Sequence, residues 1–344
     1  MFSCFMIKKI RDNLIRVLSF IGVTLVCVVV ILFGVVWVLE KGPSDAMTAS
    51  FCKSVRETSA IRWISKIFLS DEEIEQYKSV DTSNASTDTI NTELISISSV
   101  NTDSNEPGLQ VIDISSGTCK GKLMIIKNPK RVILGTNDEF VYKSGLTLTD
   151  MVSKYNAVAG INAGGFNDEN GTGDGGTPMG LVITDGELSY GSLDHSYNVV
   201  GLDSDGVLIV GTMTGSEALQ ADIKWGVSFK THDGLASSLI INGVVQEQNL
   251  SGGVNPRTAI GQRSDGALLM LVLDGRSVNT LGATMNDVVN IMLEYGAVNA
   301  GNLDGGSSSV MVYNGEIINN CASITGPRKI PTGFIVLEEE DSDD

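Results

Sequence analysis

The stretch TMNDVVNIMLEYGAVNAGNLDGGSSS, residues 284–309, decides how the chain is read. Met285, Val288, Val289, Met292 and Leu293 recur at helical spacing and form one apolar face. Thr284, with Asp287 three residues on, marks the start of a helix, and Gly296 marks its stop. The small and apolar residues that follow predict a strand ending in Asn302-Leu303-Asp304-Gly305-Gly306-Ser307. This is the densest cluster of chemistry in the sequence. Two glycines let the backbone bend so that successive N–H groups converge on an anion, and the serines add hydroxyl donors. Asp304 stands at the mouth, where a carboxylate serves as general base or stabilises positive charge at a sugar carbon. A plain Gly-Gly turn, with Asp and Asn bonding their own backbone, gives the same pattern.

Working outward, a shift of 140 residues matches Tyr155, Ala157, Val158, Asn162 and Gly165 to Tyr295, Ala297, Val298, Asn302 and Gly305. Leu148, Met151, Val152 and Tyr155 predict the earlier helix, and Ile161-Asn162-Ala163-Gly164-Gly165-Phe166 its strand end. An internal repeat would present two equivalent strand ends to one cleft. Around these units, from about 107 to 338, apolar runs alternate with the turn pairs Asp185-Gly186, Asp205-Gly206, Asn242-Gly243, Asp265-Gly266 and Asn314-Gly315. Such pairs between β-branched segments signal hairpins. The expected class is α+β: mixed or antiparallel sheets with a few packed helices in one domain, preceded by a single transmembrane helix.

The rest of the chain divides by composition. Residues 1–16 carry four basic side chains against Asp12, and 17–39 contain no charge at all. That run is long enough to cross about 30 Å of hydrocarbon. The positive-inside rule puts residues 1–16 in the cytoplasm and everything after the span outside, anchored in the cell membrane. Cleavage near Ala46-Met47-Thr48-Ala49, giving a secreted protein, is the alternative. Residues 40–78 read as a helical stalk, 79–106 as a Ser/Thr/Asn-rich flexible spacer, 107–338 as the folded domain and 339–344 as an acidic tail. The formal net charge of −17 argues against nucleic acid, which needs a basic face, but not against a ligand with one phosphate.

Other candidates lie at strand ends. Asn255-Pro256-Arg257-Thr258-Ala259 precedes an apolar strand, and Leu273-Asp274-Gly275-Arg276 follows its hairpin partner, so Arg257, Arg276 and Asp274 share a rim. Paired guanidinium groups suit phosphate; a surface salt bridge is the other reading. The acidic Gly-rich loop 166–178 offers Asp168, Asn170 and Asp174 as weak metal ligands, but Met179 stands where a calcium loop needs a glutamate. Two His, His195 and His232, and scattered Cys disfavour a Cys/His zinc site, while Cys119 and Cys321 leave a disulfide open.

Taken in order, Ile161–Phe166, Asn255–Ala259, Asp274-Gly275-Arg276 and Asn302–Ser308 resemble the phosphodiester glycosidase family over about residues 107–338. The resemblance implies hydrolysis of sugar-1-phosphodiesters, such as α-N-acetylglucosaminyl phosphodiesters. For a bacterial membrane-anchored member, the substrate would be a phosphodiester-linked glycan in surface or exopolysaccharide material. It also implies that Asn162, Arg257, Asp274, Asn302 and Asp304 line the site. The expectations are Asp304 and Asp274 as catalytic carboxylates, and Asn162 and Asn302 orienting sugar hydroxyls. Arg257, Arg276, Gly305, Gly306 and Ser307 would hold the phosphate. No cofactor is required, although a divalent cation stays open at the acidic loop. The rival readings are a non-catalytic polysaccharide-binding module and glycosyl transfer that tailors exopolysaccharide.

Overall fold

The computed structural model describes residues 2–41, 64, 66–70, 90–97, 108–116, 119–141, 143–167, 174–229, 237–246, 250, 253–275, 280–321 and 326–339. The chain forms two units, residues 1–56 with 60–78, and the remainder. In the first, helix α1 (Phe2–Lys41) contains the apolar stretch Asn13–Val38, of mean hydropathy 3.0, with none of its most apolar window buried. By length and composition it can cross a membrane. Most of the segment expected as a stalk lies outside the described residues.

The second unit is α+β, built from three antiparallel sheets. Its strands are β1 (Leu109–Ser116), β2 (Cys119–Ile126), β3 (Val132–Thr136), β4 (Ala157–Asn162), β5 (Val182–Thr184), β6 (Glu187–Tyr190), β7 (Ser196–Asp203), β8 (Leu208–Thr214), β9 (Ile223–Ser228), β10 (Ser238–Ile241), β11 (Val244–Val245), β12 (Arg257–Arg263), β13 (Leu268–Leu273), β14 (Ala297–Asn302), β15 (Met311–Tyr313), β16 (Glu316–Ile317) and β17 (Thr332–Leu337). Three helices accompany them: α2 (Leu148–Lys154), α3 (Gly215–Gln220) and α4 (Met285–Glu294). The sheet orders are β1-β2-β13-β12-β14-β10-β11, β16-β15-β4-β17-β3 and β6-β5-β9-β7-β8.

Burial explains why strands and helices alternate in this way. Every residue of β13 is buried: Leu268, Met270 and Val272 enter a core shared by all three sheets, while Leu269, Leu271 and Leu273 face α4. The seven-stranded sheet therefore needs cover on both faces, and the apolar face of α4 supplies the second. Helix α2 does the same for the sheet of β4, where Leu148, Met151 and Val152 pack on Val312 and Ile335. Ile90, Ile95 and Ile97 pack on the third sheet, and Ser96 N–H donates to Ser264 O at 2.8 Å. Residues 90–97 thus depart from the expected flexible spacer. Isolated isoleucines in a Ser/Thr/Asn-rich segment make no periodic pattern, yet Ile95 is buried here and Ile90 and Ile97 are partly buried.

The 140-residue shift is a real structural repeat. Thr147 and Thr284 cap α2 and α4 through the backbone N–H of Asp150 and Asp287, and Tyr155 and Tyr295 close them with nearly the same backbone angles. The next residues, Asn156 and Gly296, have φ of 49° and 85°, and six-residue strands follow. The repeat extends further than the sequence shift reveals: β3-α2-β4-β10-β11-β12 corresponds to β13-α4-β14-β15-β16-β17. The last three strands are exchanged between the copies. β14 lies between β10 and β12, and β4 between β15 and β17, with a register irregularity at the same place in each, at Gln262/Arg263 and Val336/Leu337. The third sheet is an insertion between β4 and β10.

Candidate active site

The exchange brings the ends of the two central strands face to face. Asp304 N–H donates to Ala163 O at 3.0 Å, and Asn162 Nδ2 donates to Asp304 O at 2.6 Å. The main chain of Asp304 is thereby bonded on both sides, which leaves its half-buried carboxylate on a rigid support. The loop beyond it forms one 3-10 turn, Gly306–Ser308. Gly306, at φ 64°, occupies the left-handed region that favours glycine and donates its N–H to Pro256 O at 3.0 Å. A Cβ on Gly305 would stand 2.9 Å from Pro256 O, so this approach of two main chains needs glycine as well.

The expected convergence of successive amides is only partly met. The N–H groups of Asp304, Gly306 and Ser308 are taken by Ala163, Pro256 and Gly305 carbonyls. Those of Gly305 and Ser307, alternate along the loop, have no acceptor among the described residues. Of the three amides expected to hold an anion, Gly305, Gly306 and Ser307, that of Gly306 is therefore taken by Pro256.

Asn162 is 1% exposed, and its Oδ1 accepts from Thr258 Oγ1 at 2.9 Å and Val310 N–H at 3.1 Å. With the bond to Asp304 O it clamps three chain segments, which corrects the expectation that it faces a sugar hydroxyl. Asn302 is 2% exposed, and its Oδ1 has no hydrogen-bond partner among the described residues. A buried acceptor left unsatisfied costs roughly 1–3 kcal/mol, so it needs a donor from elsewhere.

Arg257 also differs from its expected role. It is 7% exposed, with Nε donating to Ala283 O at 3.2 Å and Nη2 to Gly253 O at 2.5 Å, so it holds main chain beside the loop. Arg276 lies outside the described residues. Asp274 follows β13, on the far side of β12 from Asp304, and its Oδ1 accepts from Asn320 N–H at 2.9 Å. Burial pushes its carboxyl above the usual range, opposed by the Asn320 and Asn319 hydrogen bonds and by Lys122 and Lys120.

Arg328 was not anticipated by any motif. Its guanidinium lies over the Phe166 ring, 4.8 Å from the centroid, and donates to Ser307 Oγ at 3.2 Å. Of the metal candidates, Asp174 is exposed and accepts from Gly176 N–H, while Asp168 and Asn170 lie outside the described residues. Among the described residues no group of three His, Cys, Asp or Glu side chains could hold a metal. His195 is exposed against Tyr197, and Cys119 and Cys321 are both free thiols.

Fold and site together define an α+β domain whose candidate site sets the carboxylate of Asp304, on a main chain bonded from both sides, beside amides with no acceptor among the described residues. The chain belongs to the phosphodiester glycosidase family, whose model matches residues 155–337, more than half of its length. It is 30% identical over 204 residues to the SPbeta prophage-derived uncharacterized protein YomE of Bacillus subtilis, covering 57% of this chain and 30% of that protein. It is 29% identical over 157 residues to the N-acetylglucosamine-1-phosphodiester alpha-N-acetylglucosaminidase of Bos taurus, covering 40% and 29%. The chain thus spans under a third of the length of these curated relatives. The zebrafish enzyme's catalytic domain, auto-inhibited by its pro-peptide, shares the fold at TM-score 0.56 and 21% identity, over 69% of this chain and 85% of that one.

Proposed function

We propose that the domain hydrolyses sugar-1-phosphodiesters, α-N-acetylglucosaminyl phosphodiesters among them, in surface or exopolysaccharide-type glycans outside a membrane that α1 anchors. The observation that carries this reading is the loop after β14. Asp304 is bonded through both its N–H and its C=O, and among the described residues the amides of Gly305 and Ser307 have no acceptor and the buried Asn302 Oδ1 has no donor. A sugar-1-phosphodiester supplies what each lacks: an anion for the amides, and a hydroxyl or acetamido N–H for Asn302.

Water attacks the anomeric carbon, the C1–O bond breaks, and the phosphate monoester leaves with the bonding electrons. The transition state resembles an oxocarbenium ion, and Asp304 either takes the proton of water or attacks first as nucleophile. Once the charge on the phosphate is held, the leaving group needs little protonation. Asp274, the second carboxylate the family resemblance implies, stands across β12 with its Oδ1 on Asn320 N–H, so its part is secondary to that of Asp304. No step calls for a metal or a cofactor.

The test is release of reducing sugar by the purified full chain, in detergent, from an α-N-acetylglucosaminyl phosphodiester and from phosphodiester-linked wall glycans. Free N-acetylglucosamine is the expected product. Binding without release would make the domain a carbohydrate-binding module, and oligosaccharide products would make it a transferase.

A further inference from the structure

The −17 charge of the chain makes any cation at the candidate cleft informative, and of the two the motifs pointed to, Arg257 is engaged elsewhere and Arg276 lies outside the described residues. Arg257 is buried with two of its donors on carbonyl oxygens, so turning toward a ligand would break both bonds. Arg328 is differently placed. Phe166 supports the face of its guanidinium and is itself fixed, 7% exposed, packed with Leu148 and Val310 and bridged to Pro178. Stacking on a ring restrains the guanidinium plane while its N–H groups point outward in that plane, the geometry that suits a phosphate. One of them already reaches the hydroxyl of Ser307, the residue whose amide is open.

We infer that Arg328, stacked on Phe166 and bonded to Ser307, is the group that recognises the anionic oxygens of the ligand, in the role the sequence assigns to Arg257. The guanidinium is bonded to the side chain of Ser307, whose own amide has no acceptor among the described residues, so loop and side chain together would form one anion site. The inference takes the identity of the anion, a sugar phosphate, from the proposed function, but it is tested without turnover.

The experiment is calorimetric titration of the full chain with α-N-acetylglucosamine 1-phosphate and, separately, with neutral N-acetylglucosamine. Arg328→Ala should weaken the 1-phosphate by about 30-fold or more, the loss expected for a charge-assisted hydrogen bond, and leave the neutral sugar within about threefold. Arg328→Lys keeps the charge but not the fork, and should weaken the 1-phosphate about 5- to 10-fold. That variant decides the question should the alanine variant not fold. Unchanged 1-phosphate binding in either variant, equal loss of both ligands, or failure of the unaltered chain to bind the 1-phosphate would each overturn the inference. Arg328-dependent binding with no turnover would remove the hydrolase reading and leave this one standing.

Discussion

The first repeat ends its central strand in Asn162-Ala163-Gly164-Gly165, the second in Asn302-Leu303-Asp304-Gly305. Their backbones are held alike. Asn162 N–H and Asn302 N–H donate to Val310 O and Ser237 O on one side, and Ala163 N–H and Leu303 N–H to Thr332 O and Thr258 O on the other. The side chains then part company. Asn162 bonds to Thr258, Val310 and Asp304, whereas Asn302 Oδ1 has no partner among the described residues, and Gly164 occupies the position that Asp304 holds in the other copy. One copy is the clamp, and under the proposed function the other is the chemical end. Duplication supplied two rigid strand ends, and a reactive group on one can be oriented by the other.

The largest expected effect follows from that division. Asp304→Asn should lower turnover of the phosphodiester by about 10²- to 10⁴-fold, the range for a positioned acid or base, with the thermal midpoint shifted by less than about 3 °C. Unchanged turnover in the folded variant would take the chemistry away from the second copy. Next come the two asparagines. Asn162→Ala leaves a hydroxyl, an amide and a carbonyl without partners in the interior, and should cost about 3–5 kcal/mol of stability in denaturant titration. Asn302→Ala removes an acceptor that nothing satisfies, so it should cost less than about 1 kcal/mol while lowering kcat/KM about tenfold or more. Equal losses of stability in the two variants would show that the copies have not diverged as described. Gly306→Ala, which forces a Cβ onto a φ of 64° in otherwise open space, should cost about 1 kcal/mol.

Much of this was legible in the chain because it depends on local chemistry. Thr284 with Asp287, the Gly296 stop and the Asn-Gly turns act within a few residues, and all are present: Asn242 and Asn314 have φ of 52° and 51°, each followed by a glycine with φ near 80°. What escaped depends on partners far along the sequence. The partners of Asn162 lie 96 to 148 residues away, so nothing beside it distinguishes a clamp from a ligand contact. Strand exchange hid the full repeat, because copies of adjacent strands end in opposite sheets. Arg328 lies in Gly326-Pro327-Arg328-Lys329, an ordinary turn sequence, and its contacts with Ser307 and Phe166 join it to residues more than 20 and more than 160 positions away.

The smallest effect compares two aspartates at equivalent places. Thr136 pairs with Thr332 and Val272 with Thr258, and Asp138 and Asp274 each stand two residues beyond. Asp138 is exposed, and the hydrogen bond and charge of Lys154, 2.7 Å away, hold its carboxyl below the usual range. Burial holds Asp274 above it. The signs of their pH dependence are therefore opposite. Asp138 contributes stability above the ordinary carboxylate range and loses it as pH falls through its lowered value. Asp274 binds its proton more tightly in the folded chain than in the unfolded one, so its contribution is present at low pH and is lost as pH rises through the raised value. Asp274→Asn stays neutral throughout and should gain on the unaltered chain as pH rises above the ordinary carboxylate range, by about 1–3 °C in Tm; the gain is modest because the group is half-buried and partly screened. Asp138→Asn should drift the other way over the low-pH range. If Asp274→Asn instead lost ground as pH rose, the hydrogen bonds of Asn319 and Asn320 with the charges of Lys120 and Lys122 would outweigh burial, and Asp274 would be an ionised carboxylate like Asp138.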